Sequence, residues 1–108
     1  EVLRLVCSFD MDPPEARLAA LYEVLNLAND AVWDGGFTFW APQRLMVWRY
    51  GLVLAGEMVA SPEQIDHMIR SALDGCERFY PAFQLACWGD ATPQAAMEVA
   101  LAEAYGRA

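Results

Sequence analysis

The one imidazole in the sequence, His67, stands four residues after Glu63 and directly after Asp66, so a helix there brings a nitrogen and two carboxylates within reach of a divalent cation. Metal sites use three or four convergent ligands, so a solvated helix face with one stabilising pair is the better reading and no metal is expected. Asp30, Asp34 and Asp90 lie near element ends, where two buried carboxylates could divide acid and base work. Aspartates at such places mostly cap or turn the chain. Cys7, Cys76 and Cys87 fall on apolar faces that disfavour the thiolate, and all three read as inert core residues. Along one helix, Cys76 and Cys87 stand roughly 16 Å apart, beyond disulfide reach. Arg49, between Trp48 and Tyr50, could clamp an anionic ligand or a partner's carboxylate, but an internal ion pair or stacking on Trp40 across the hairpin is the better reading.

No GxSxG, HExxH, CxxC, Walker or dinucleotide-glycine pattern occurs, and Gly35-Gly36 is a turn pair. All seven basic residues are arginine, which removes lysine chemistry. A non-enzymatic protein without cofactor is the expectation. An enzyme built around Arg49 and Asp34 is the remote alternative.

The chain has 108 residues, 56% of them hydrophobic, enough for one domain with a real core. Fifteen acidic side chains against seven basic ones give a formal charge of −8, which repels phosphate backbones and anionic lipid. Neither nucleic acid nor membrane is an expected partner. An odd number of widely spaced cysteines fits a reducing cytoplasm better than a secreted disulfide scaffold. The start at Glu1, inside an apolar stretch, reads as the C-terminal part of a longer polypeptide.

Leu3, Leu5, Cys7 and Phe9 alternate with a mixed set, predicting a half-buried strand over Val2–Phe9. Asp12, Pro13, Pro14 and Glu15 form a helix start with Asp12 as N-cap, and Leu18, Leu21, Tyr22 and Leu25 carry the helix for about four turns. Phe37–Trp40 and Arg44–Leu54 read as a hairpin closed by a type I loop over Ala41–Arg44. That register puts Phe37, Phe39, Met46, Trp48 and Tyr50 on one face and Thr38, Trp40, Leu45, Val47 and Arg49 on the other. Ser61-Pro62-Glu63-Gln64 opens the clearest helix, with Ile65, Met68, Ile69, Ala72, Leu73, Cys76, Phe79, Tyr80 and Phe83 as its apolar series. Pro81 should bend or break it near Tyr80, and a last helix runs from Thr92-Pro93 to Gly106. The order strand, helix, strand, strand, helix, helix is an α+β domain with an antiparallel sheet.

Neither hairpin face is polar, and the helices cover mainly one. The other needs an N-terminal segment, a symmetric partner or a client protein, so a homodimer or a bound protein or peptide is expected. The candidate interaction surface is Trp40, Leu45, Val47, Arg49, Tyr80, Phe83 and Trp88.

The run Leu25–Trp40, with Asn29-Asp30, Trp33-Asp34-Gly35-Gly36 and Phe37-Thr38-Phe39-Trp40, resembles the helix-to-strand passage of the YbjN-type domain, a family of bacterial sensory transduction regulators. Arg49-Tyr50-Gly51-Leu52, Phe79-Tyr80-Pro81-Ala82-Phe83-Gln84, Trp88-Gly89 and Thr92-Pro93-Gln94 are similar to its proteobacterial branch. The resemblance spans essentially residues 1–108 as one domain. It implies a fold like that of type III secretion chaperones, here without the opening helix and strands, and a cytoplasmic regulatory role. It also implies, as the alternative, a chaperone-like holder of an extended or helical client segment.

Overall fold

The computed structural model describes residues 1–106. The period-two alternation at the start of the chain becomes β1 (Val2–Asp10), which pairs antiparallel with β3 (Leu45–Val53); β3 in turn pairs with β2 (Gly36–Trp40), giving the order β1-β3-β2. Cys7 lies opposite Trp48 and Trp48 opposite Phe37, while Phe9, Met46 and Phe39 form the next row, so the face predicted from the hairpin is the one that meets the helices. The turn closes as expected, with Arg44 N–H donating to Ala41 O at 3.2 Å. Arg44 adopts φ 55°, an unusual conformation for a side-chain-bearing residue. Its guanidinium holds the turn by donating to Asp12 Oδ1 and Pro13 O, both at 2.8 Å.

That use of Asp12 corrects the expected helix start. Its carboxylate serves Arg44 rather than a helix N-terminus, and the chain first makes a 3-10 turn over Glu15–Arg17 before α1 (Leu18–Asp30). Asn29, near the end of α1, clasps the β2 backbone: its Nδ2 donates to Phe37 O at 2.9 Å, and Phe37 N–H donates to its Oδ1 at 2.6 Å. An amide side chain thus stands in for a neighbouring strand.

α2 (Pro62–Trp88) opens with a complete capping box between Ser61 and Gln64. It runs through Pro81 for 27 residues, so of the bend or break expected there the break does not occur. Proline costs the helix the bond to the carbonyl of exposed Glu77, but fully buried Phe79, Ala82 and Phe83 hold both sides of the proline against the core. Arg17 donates to Ala86 O at 2.7 Å and Ala91 O at 3.0 Å, tying down the C-terminal end of α2 before α3 (Pro93–Gly106).

Trp48 is the centre of the core. Its indole is almost fully buried and lies between Gly35 and Gly75: a Cβ at Gly35 would come 2.2 Å from Trp48 Cζ2, and one at Gly75 2.8 Å from Cζ3. Phe37 meets Trp48, Phe79 and Phe83 edge-on, with centroids 5.0, 5.8 and 5.0 Å apart. Gly35→Ala should therefore cost about 1–3 kcal/mol in urea unfolding through overpacking. Gly75→Ala should cost less, because a gain of about 1 kcal/mol in helix propensity offsets part of the same clash. Gly51→Ala, whose Cβ would meet only Val2 Cγ1 at 3.4 Å, should stay within about 0.5 kcal/mol.

Candidate interaction surface

The expected surface residues do not form one patch. Val47, on the outer face of the sheet between Ser8 and Thr38, is 0% exposed, and Leu45 is half-buried. Trp40 keeps 41% of its surface and Arg49 is exposed on the same face. Phe83 is fully buried in the helix-side core and contributes nothing to the outside. Tyr80 sits edge-on against Phe9, with centroids 5.4 Å apart, and Trp88 is exposed at the far end of α2. Arg49 makes no ion pair among the described residues; with Arg4 it lines a shallow cavity of about 400 Å³ where β3 runs on past the end of β2. The outer face is thus part apolar, part cationic, and already closed over its central valine.

Exposed apolar surface gathers instead along β1. This strand is the edge of the sheet, pairing only with β3 among the described residues, so one side of a nine-residue backbone is free. The flank of α2 beside it carries Ile65, Ile69 and Leu73, exposed to 42, 44 and 53%. At 100° per residue these share a row with Cys76 and Tyr80. Cys76 and Tyr80 reach Cys7 and Phe9 of β1, which fixes the direction of the whole row. The sequence pattern had merged this row with the core row of Met68, Ala72, Phe79 and Phe83; the only sign of two rows was the width of the apolar arc. Trp33, in the turn after α1, is 98% exposed, and nothing in the spacing of its neighbours distinguished it from a core tryptophan.

A third place collects ionisable groups. Asp34 Oδ2 lies 3.0 Å from His67 Nε2 and accepts from Ser71 Oγ at 2.8 Å, at the rim of a cavity of about 350 Å³ that Trp48, Arg70, Asp74 and Arg78 also line. Trp48 Nε1 and Arg78 Nε are buried without a hydrogen-bond partner among the described residues. The Ser71 hydrogen bond holds the Asp34 carboxyl below its ordinary 3.8; partial burial opposes this and His67 adds to it. Hydroxyl and imidazole both bond to one carboxylate oxygen, so the imidazole does not sit on the serine and no Ser-His relay is assembled. Glu63 and Asp66 do not join His67 as ligands: Asp66 accepts from Arg70 at 2.8 Å, and no three His, Cys, Asp or Glu side chains among the described residues converge as a metal site. Arg49 and Asp34 line separate cavities.

A family model described as "YbjN: Putative bacterial sensory transduction regulator" matches residues 1–85. The chain belongs to the YbjN family. The YbjN match takes in the whole sheet, α1 and α2 as far as Leu85, and so includes both the β1 edge and the Asp34 cluster. No curated protein and no solved structure matches the chain. No described helix is long and apolar enough to cross a membrane.

The lowered Asp34 carboxyl contributes stability at pH values above its unfolded pKa, and this is lost as pH falls through the lower folded value. In a carboxyl-resolved NMR titration, Ser71→Ala should move the Asp34 midpoint upward, toward 3.8.

Proposed function

We propose that this YbjN domain is a cytoplasmic, non-enzymatic regulatory module that works as a homodimer joined along β1. The observation that carries the reading is the free β1 edge lying beside the exposed Ile65, Ile69 and Leu73 row. A long edge strand with apolar cover on one side is a template for another strand. Antiparallel pairing of β1 with its own copy about Val6 uses all nine residues: Leu3 meets the second Phe9, Leu5 the second Cys7, and Arg4 lies diagonal to the second Asp10. Both apolar faces then align, and the opposed charges fix the register. The two α2 flanks come together over the joined sheets.

The same edge also accommodates an extended client segment, and the nearly fully exposed Trp33 favours a further protein contact in either case. Sedimentation at micromolar concentration separates the two readings. A dimer is expected for the native chain, and Ile69→Asp with Leu73→Asp should raise its Kd by about a hundredfold or more while leaving the circular dichroism unchanged. Trp40→Ala should leave the dimer intact. A native chain that stays monomeric at tens of micromolar overturns the homodimer, and dissociation by Trp40→Ala moves the interface to the outer face of the sheet.

A further inference from the structure

Cys7 on β1 and Cys76 on α2 are separated by 69 positions in sequence, yet their sulfurs lie 3.9 Å apart, both half-buried on the helix side of the sheet. Cys87, the third thiol, is fully buried about 16 Å further along α2. Two thiols already in contact, on neighbouring elements far apart in the sequence, have only a short distance to close to reach the roughly 2.05 Å of a disulfide. We propose that Cys7 and Cys76 are a reversible oxidation site that cross-links β1 to α2 when the protein meets a peroxide.

The chemistry balances with hydrogen peroxide alone as oxidant. The Cys7 thiolate attacks one peroxide oxygen, the O–O bond breaks, and the departing hydroxide takes a proton to become water, leaving a sulfenic acid on Cys7. The Cys76 sulfur then attacks the Cys7 sulfur; the S–S bond forms, the S–O bond breaks, and the thiol proton leaves with the hydroxide as a second water. Two electrons pass from the sulfurs to the O–O bond. Burial pushes the Cys76 thiol up to about 12, with Cys7 adding to the shift, which disfavours Cys76 as the first nucleophile and suits it to the resolving role. Burial likewise pushes Cys87 up to about 11 and keeps it out of the exchange. Cys7 lies opposite Trp48 in the sheet, and Cys76 follows Gly75, which packs on the same indole. The cross-link therefore closes beside the core's least compressible point and pins the edge strand to the helix flank next to it.

The test treats the reduced 108-residue chain with hydrogen peroxide, then counts thiols under denaturing conditions and maps peptides. The expected result is a fall from three thiols per chain to one, a peptide holding Cys7 joined to one holding Cys76, and a Tm higher by at least about 5 °C, all reversed by dithiothreitol. Cys76→Ala should leave Cys7 as a sulfenic acid that dimedone traps, and Cys87→Ala should leave the cross-link intact. The mapping is done on the native chain, so it stands whether or not either variant folds. Three free thiols after treatment, oxidation only to sulfinic and sulfonic acids, a link to Cys87 or a link between two chains would each overturn the proposal.

Discussion

The spacing between sheet and helices depends on the Trp48 indole held between two glycines. An indole is rigid, and here it is met on one edge by the Gly35 backbone and on another by Gly75 of α2, with Phe37 edge-on beside it. Any side chain at either glycine would enter the space the ring occupies. The contact therefore sets how closely α2 approaches β3 and where the α1–β2 connection crosses the sheet. Two other features follow from it. The connection is held where Asp34 can meet His67 and Ser71, and α2 is held in the rotation that turns Cys76 and Tyr80 toward β1. A well-packed interior transmits such constraints because it has no slack to absorb them.

The second constraint is one of widths. Three strands at about 4.8 Å separation make a sheet roughly 10 Å across between its outer strands, while two helices side by side already span about as much between their axes and more with side chains. With α3 added, the helical layer is wider than the sheet it covers. The uncovered apolar surface is accordingly found on helix, at Ile65, Ile69 and Leu73, as much as on strand. The two apolar faces of the hairpin pointed the other way, to β segments with more apolar area than the helices could hide. On the outer face Val47 is closed over between Ser8 and Thr38, its neighbours in register, and the rest of that face is broken up by Arg4, Arg49 and Asp10.

Much of the fold was legible because it rests on local rules. Strand parity follows from alternation, the hairpin register from the length of the Ala41–Arg44 loop, and the start of α2 from Ser61 and Gln64. The failures come where a distant residue changes the outcome. Asp12 looks like a helix cap until Arg44, 32 positions on, claims its carboxylate. Pro81 looks like a break until the core grips both sides of it. Asp34 looks like a turn residue, and its partners His67 and Ser71 lie 33 and 37 positions away with no pattern joining them. The cysteines show the same limit. Their apolar settings were readable one by one, but the Cys7–Cys76 contact depends on the rotation of α2 over the sheet.

The acidic surface sets conditions on any association. Two copies of a chain with a formal charge of −8 repel each other at long range, and salt screens that repulsion within about 10 Å. Only short-range terms can hold such copies together: a strand ladder, apolar contact along α2, and the few positive groups placed where they face a carboxylate. Arg4 on β1 is such a group: in the proposed pairing about Val6 it stands opposite Ser8 of the second copy and diagonal to that copy's Asp10. That repulsion keeps unrelated surfaces apart, and the β1 pairing proposed above would offset part of it by bringing Arg4 of each copy near the other's Asp10.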